Sequence, residues 1–319
     1  MKNDELYDKF MDTLKEQVPH QLSLTNTLMD ILCIGREAIY RRLRGEVAFT
    51  FSEIAVLAKH FEISIDQIMG SISSKNMPFR MNLIDYGDPF TSDYQRISRF
   101  TSILKSIKDD PDSVIATSSN VIPHTFYLNN KVITNFKIFK WLHHYDQVEP
   151  FSINEVKIPD KLDYLHREYA HRIKDIKNTT HILDKLMFVY LVNDVKYFVR
   201  LNLISKDDTL LLKENLFRIV DELEEITFNG RYENGNKVNI YISELNFEAT
   251  YSYLESHNIS YSHIRAFALD SLISENKDTM INLKRWINSL KKFSILISES
   301  AESQRIKYFN DQRQIIDSL

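Results

Sequence analysis

Four arginines lie close together near the start of the chain. The segment GREAIYRRLRG, residues 35–45, contains these arginines with one glutamate and one tyrosine: Arg36, Arg41, Arg42, Arg44, Glu37 and Tyr40. A guanidinium can pair with guanine O6 and N7 together, or with phosphate. Glu37 would weaken a purely electrostatic patch, but it can accept a hydrogen bond from a cytosine amino group or orient a neighbouring arginine. The pattern favours contact with nucleic acid; the alternative is a solvated helix face in which Glu37 and Glu46 pair with the arginines.

No comparable pattern of catalytic or metal-binding residues occurs elsewhere in the sequence. Ten histidines are present, but none forms an HExxH pair or another metal-ligand spacing. A single cysteine, Cys33, excludes internal disulfides and multi-cysteine metal sites. The phosphate-binding patterns GxxxxGK[ST] and GxGxxG and the hydrolase pattern GxSxG are absent from a chain with six glycines. We therefore expect no enzymatic activity, no cofactor and no metal.

Five short helices are predicted over residues 1–70, and they would position the arginines. Leu6, Phe10 and Leu14 recur at helical spacing and give the first helix one apolar stripe. The other four helices cover about 24–32, about 36–44, and the segments that begin at the capping boxes Thr50-x-x-Glu53 and Ser64-x-x-Gln67. Because the second and third are separated by only a short turn, they form a helix-turn-helix.

Residues 6–70 resemble the Cro/repressor-type (XRE-like) helix-turn-helix family of transcriptional regulators. In that family two helices pack at a steep angle, and the second lies in the DNA major groove. Four apolar residues fit the expected contacts between these helices: Leu28, Leu32, Ile39 and Leu43. The sequence departs from the family pattern at two positions. Cys33 stands where the turn usually has glycine, and Met29 stands where the second helix usually has a small residue.

The resemblance implies that residues 36–44 form the recognition helix. The expected DNA-binding residues are Thr25, Gly35, Arg36, Glu37, Tyr40, Arg41 and Arg44. Base edges would be contacted by Arg36, Glu37, Tyr40 and Arg41, and the DNA backbone by Arg44. Gly35 would let backbone N–H groups approach a phosphate. Gly45 is expected to end the helix in the left-handed conformation, with Arg42 on the flank.

Composition places limits on how such a protein binds DNA. Its 319 residues predict two domains, and 43% hydrophobic residues are enough to build their cores. The formal charge of -4 means that DNA binding depends on a local basic patch. The N-terminus, MKNDELYDKF, has no secretory signal, and the longest apolar run, 186–192, is too short for a membrane span. We expect a cytoplasmic protein without membrane contact.

The predicted fold is mainly α with α+β. A repressor-like domain at 1–70 is followed by a linker at 71–80 and a larger domain at 81–319, which is helical over 81–230 and mixed α/β over 231–319. Its strands are expected at 112–119, 238–242, 261–269 and 293–298. Its helices are expected at about 94–107, within 160–228, at 247–257, at 278–291 and from 301.

Together these features predict a transcriptional regulator that binds double-stranded DNA as a homodimer, because one module reads too few base pairs. By analogy with other repressors, the second domain would dimerise and could sense a small-molecule or peptide effector. Aromatic residues around 126–127, 136–141 and 241–247 fit either an apolar pocket or a packed core. Two alternatives stay open: an interaction protein with a degenerate helix-turn-helix, and an enzyme with a DNA-binding arm.

Overall fold

The computed structural model describes residues 2–17, 21–61, 63–65, 68, 79–85, 88–143, 152–267 and 270–319. The chain divides into two units, Met1–Phe79 and Arg80–Leu319. The first is helical and the second is mixed α/β, which confirms the predicted fold class at this level.

The first unit contains the helices α1 (Lys2–Gln17), α2 (Gln21–Leu32), α3 (Arg36–Leu43) and α4 (Phe51–His60). Their core includes four residues with no exposed surface: Leu14, Leu28, Ile39 and Leu57. The helices predicted at 24–32 and 36–44 are confirmed. The helix predicted from Ser64 falls largely outside the described residues, as does the predicted linker, except that Arg80 belongs to a strand.

Helix α4 begins as its sequence predicts. The Thr50 hydroxyl accepts a hydrogen bond from the Glu53 backbone N–H at 3.3 Å, and the Glu53 carboxylate accepts one from the Thr50 N–H at 2.7 Å. This capping box satisfies two backbone N–H groups at the start of the helix. The prediction of a helix start at Thr50 is therefore confirmed.

The second unit is built on one eight-stranded sheet. Its strands are β1 (Arg80–Asn82), β2 (Val114–Ser119), β3 (Asn178–Asp184), β4 (Lys237–Ser243), β5 (Tyr251–Glu255), β6 (Ser260–Phe267), β7 (Asp270–Ser274) and β8 (Ser294–Leu296). The order across the sheet is β1-β7-β6-β5-β2-β3-β4-β8. Strands β2, β3 and β4 are parallel, whereas the other pairings are antiparallel.

Helices cover both faces of this sheet. They are α5 (Pro89–Ser106), α6 (His124–Tyr127), α7 (Lys131–His143), α8 (Asp160–Ile173), α9 (Met187–Arg200), α10 (Lys206–Asn229), α11 (Lys277–Leu290) and α12 (Glu302–Asp317), with 3-10 turns at Ile153–Glu155 and Lys291–Phe293. Helix α11 packs its Met280 and Ile287 with Ala116 and Ile182 of the sheet. The larger core lies among the other helices, and α5 packs on α8 within it.

Two predictions for this unit are wrong. Residues 178–184 are predicted to be part of a helical region, but they form β3, which lies between two parallel neighbours. Because such a strand is buried on both faces, its apolar residues do not alternate with polar ones. Residues 247–257 are predicted to be helical, but 251–255 form β5. The strand predicted at 112–119 and the helix predicted at 278–291 are confirmed by β2 and α11.

Neither a membrane span nor a metal cluster is found in the described part of the chain. None of its helices combines the length and apolar character needed to cross a bilayer. Among the same residues, no group of three or more His, Cys, Asp or Glu side chains is arranged to hold a metal ion.

Candidate nucleic-acid interface

The turn between α2 and α3 depends on a left-handed residue. Cys33 has φ of +54°, and its backbone N–H donates to the Met29 carbonyl at 2.9 Å. Gly35, the residue before α3, has φ of -66° and ψ of 154°, so the chain is extended there. A Cβ at Gly35 would meet no atom within 4 Å, so neither space nor backbone angle requires glycine. Cys33, not Gly35, therefore carries the unusual backbone of this turn.

Helix α3 is anchored on one side and exposed on the other. Ile39 is fully buried in the core, and Gly45 closes the helix with φ of +77°, as predicted. The predicted site residues on this helix lie together at its surface: Arg36, Glu37, Arg41 and Arg44 are exposed, and Tyr40 is half-buried. Thr25, on α2, has no exposed surface. The prediction that Thr25 binds DNA is therefore corrected, because a fully buried side chain cannot contact DNA.

The exposed arginines already have polar partners. Arg36 Nη2 donates to Asn26 Oδ1 at 2.9 Å. Arg44 lies 3.0 Å from Glu46 and 3.4 Å from Glu37, and Arg41 lies 3.5 Å from Glu46. These are the ion pairs that the solvated-face alternative predicts. Exposed pairs of this kind contribute about 0–1 kcal/mol, so a phosphate could displace the carboxylates at little cost.

Arg42 differs from its neighbours because it is mostly buried. Its Nη2 and Nε donate to the two Glu53 oxygens at 2.8 and 3.2 Å, and the guanidinium lies 5.8 Å from the Phe49 ring. Burial alone would raise the pKa of Glu53, but hydrogen bonds from Thr50 and the Arg42 charge outweigh it, and that pKa is lowered. Glu53 thus caps α4 and fixes α3 to it. The capping-box motif identified only the first role.

The aromatic residues around 126–127 and 136–141 are packed in the core of the second unit. Phe136 and Phe139 have no exposed surface, and Trp141 is 2% exposed. Phe126 and Tyr127 are also buried in the same core. In the third segment, Tyr241 and Phe247 are partly buried and pack against the smaller cluster between α11 and the sheet, so packing is observed for residues of all three segments.

Comparison with known proteins supports the helix-turn-helix. The family model of the BetR domain matches residues 7–85, less than half of the chain. This is an N-terminal, helix-turn-helix-like DNA-binding family, whereas the narrower XRE-like resemblance finds no separate match. No curated protein and no solved structure matches the chain. The N-terminal part of the chain is therefore similar to the BetR domain, which suggests a DNA-binding, regulatory role.

Proposed function

We propose that this chain is a sequence-specific DNA-binding transcriptional regulator of the XRE-like type and that α3 is its recognition helix. One observation carries the proposal: a short helix after a tight turn buries Ile39 and leaves Arg36, Glu37 and Arg41 exposed. A helix with that geometry fits the major groove, and its arginines suit guanine and phosphate. The match to the BetR domain supports the same role.

The proposed contacts divide into two groups. Base edges would be contacted by Arg36, Glu37, Tyr40 and Arg41. Arg44 and the backbone at Gly35 would contact phosphates, since both are exposed at the two ends of α3. On binding, phosphate oxygens would replace Glu46 as the partner of Arg44.

Recognition of a full operator needs two copies of this helix. We propose a homodimer, formed through the second unit, that binds two half-sites about 34–36 Å apart, one turn of B-DNA. The second unit would also sense an effector, and no catalytic step is assigned to it. Such a regulator would act in the cytoplasm, as the sequence predicts.

Selection from a randomised duplex pool with the full-length protein tests the proposal, because it needs no prior operator. Arg36→Ala and Arg41→Ala should each weaken binding to the selected site by about 1–3 kcal/mol and relax selectivity at one base pair. Lys59→Ala is the matched control, since Lys59 is exposed in the last turn of α4 and the same charge is lost. It should weaken binding to all sequences alike.

Two results would overturn the proposal. One is a selection that enriches no sequence. The other is an unchanged affinity after both arginine substitutions, which would leave the solvated-face interpretation. That interpretation has its own support, because Glu37 and Glu46 pair with the exposed arginines. An interaction protein with a degenerate helix-turn-helix is therefore the second candidate.

A further inference from the structure

A cavity opens in the second unit between the sheet and helices α5 and α8. It contains about 900 Å³ of empty space, including the solvent at its mouth. Side chains from β2, β5 and β6 form its floor, and β1 and β7 contribute one residue each. Arg99 of α5 also lines it and is half exposed, so it stands at the mouth. The cavity is thus formed by segments far apart in the sequence.

The sheet face under this cavity is polar. Thr117, Ser252 and His263 are paired side by side across β2, β5 and β6, and all three line the cavity. The adjacent row, formed by Ile115, Leu254 and Tyr261, is mainly apolar. A sheet face covered by helices is ordinarily apolar throughout, since buried polar groups lose their water. The polar row therefore points to a surface that meets a ligand.

Arg265 adds a positive charge to this row. Its Nη2 lies 2.5 Å from His124 Nε2, and it also hydrogen-bonds with the Tyr127 side chain. Among the carboxylates whose side chains the structure describes, none lies within 4 Å of this guanidinium. Burial, reinforced by Arg265 and other cations, holds the pKa of His124 well below its usual range, so the imidazole is neutral. Burial also raises the pKa of Tyr127, so neither partner supplies a negative charge.

The other arginines of the cavity differ because each has a carboxylate. Arg96 donates from Nε to Asp93 at 3.1 Å, and Asp93 also lies 2.9 Å from His166. Arg99 donates to Glu275 at 2.9 Å. Of these three arginines, only Arg265 has no carboxylate partner among the side chains that the structure describes. A partly buried cation without a counter-ion is unfavourable, and a bound anion would relieve that cost.

The walls indicate the rest of the ligand. The rings of Phe100 and Tyr169 lie 5.7 Å apart between centroids, and those of Phe100 and Tyr261 lie 5.1 Å apart. Ile97 and Pro123 also line the cavity. Aromatic and aliphatic walls favour an apolar or aromatic body, while the few polar groups fix its orientation.

We infer that this cavity binds a small organic acid, whose carboxylate or phosphate contacts Arg265 and whose aromatic or apolar body packs among Phe100, Tyr169 and Tyr261. The ligand would be the effector of the second unit, and that regulatory meaning rests on the proposed function. Binding itself does not, because it needs no DNA.

The test compares an anion with its neutral analogue on the full-length protein. Benzoate, phenyl phosphate and benzamide are titrated at constant ionic strength, with thermal unfolding and calorimetry as readouts. At least one of the two acids should give saturable stabilisation, and benzamide should give much less. Benzoate against phenyl phosphate then separates a carboxylate from a phosphate ligand.

Variants locate the site. Arg265→Gln should weaken binding of the preferred acid by about tenfold or more, because a charge-assisted hydrogen bond is lost. Arg285→Gln is the control, since Arg285 is exposed on α11. Should Arg265→Gln fail to fold, Ser252→Leu fills the cavity from its floor and should also abolish binding. The inference is overturned if neither acid stabilises the protein more than benzamide does, or if binding survives in a folded cavity variant.

Discussion

Cys33 shows how one residue fixes the turn before the recognition helix. Its φ of +54° lies in the left-handed region, and its exposed Sγ is 3.7 Å from the Asp30 carbonyl. An L-residue with a side chain pays roughly 1–2 kcal/mol for that conformation, whereas glycine adopts it freely. The chain therefore keeps the turn geometry of the helix-turn-helix without the residue that suits it best.

This conformation predicts opposite effects for two substitutions. Cys33→Gly should leave the first unit equally stable or stabilise it by up to about 1 kcal/mol, since relieved strain exceeds the added entropy of the unfolded chain. Cys33→Val should destabilise it, because a β-branched residue is strongly disfavoured at positive φ. Amide hydrogen exchange in α2 and α3 measures both. Equal protection in the two variants would show that the turn is not strained at this residue.

His181 makes the stability of the second unit depend on pH. It is 2% exposed on β3, and its Nε2 lies 3.2 Å from the Tyr232 hydroxyl. Burial lowers the pKa of His181 from 6.5 to about 3. Between these values the unfolded chain binds more protons than the folded one. The contribution of neutral His181 to the free energy of unfolding is therefore fully present above pH 6.5. It is lost as the pH falls towards 3, by up to about 1.4 kcal/mol per pH unit.

Replacement of His181 should flatten part of that dependence. Urea unfolding of His181→Gln, followed by tryptophan fluorescence, should show a smaller loss of stability between pH 6 and 4 than the wild type. His263, whose pKa burial lowers to about 3, and His124, whose pKa burial also lowers, keep the remainder of the slope. His171→Gln is the control, because His171 is exposed. A slope unchanged in His181→Gln but flattened in the control would contradict the assignment.

The single residues that sequence reasoning could identify were those on one helix. Arg41 and Arg44 could be predicted to share an exposed face of α3 because their three-residue spacing and the apolar position of Ile39 are local properties of the chain. The prediction for Thr25 was wrong because the position of this residue on α2 does not reveal that the core encloses it. The role proposed for Arg265 could not be predicted from the sequence. Whether a carboxylate lies beside this residue depends on segments that are brought together by non-local strand pairing.

At the scale of elements, α3 is too short to be stable alone. It has eight residues, and isolated helices below roughly 12–15 residues are marginal in water. Ile39 fixes it to the core, and the Arg42–Glu53 pair fixes it to the start of α4. The direction in which the exposed arginines point is therefore set by contacts on the opposite side of the helix.

The Arg42–Glu53 pair can be tested by removing either the contact or the charge. Arg42→Met should lower the stability of the first unit by about 1–2 kcal/mol and weaken DNA binding, because α3 loses an anchor and Glu53 a partner. Glu53→Gln should cost less, since glutamine can still accept the Thr50 N–H in a capping box. Hydrogen exchange of α3 and α4 and DNA affinity are the measurements. Unchanged protection of α3 in Arg42→Met would show that the pair does not position it.

Elements in the second unit were predicted where their pattern is local. The alternation in β4 and the amphipathic period of α11 both depend only on neighbouring residues. Strand β3 was missed because its apolar residues, Ile182 and Leu183, are adjacent and show no strand alternation, and because α9 follows after a two-residue turn at 185–186. Strand β5 was missed because a run of five residues cannot be distinguished from a buried helix by period.

At the scale of the whole molecule, the two units differ in where their positive charge lies. The chain has a formal charge of -4, so binding to DNA depends on the few arginines of α3 and should be weak for non-specific sequences. The second unit instead encloses a cation, Arg265, that has no carboxylate partner among the side chains that the structure describes. If both proposals hold, the protein binds two kinds of anion at separate sites, and thermodynamic linkage allows each to alter the affinity for the other.

Thermodynamic linkage between the DNA site on α3 and the acid site at Arg265 gives a prediction in which each site is the control for the other. The preferred acid should change the Kd for the selected DNA site, typically by about 5–150-fold, and DNA should change the affinity for the acid by the same factor. Arg265→Gln should remove this coupling, whereas Arg41→Ala should weaken DNA binding while the acid still binds. Because DNA binding falls with salt, every titration is matched with chloride. A change in Kd that persists in Arg265→Gln would mean that the acid acts as an electrolyte, and the second unit would then have no sensing role through this cavity.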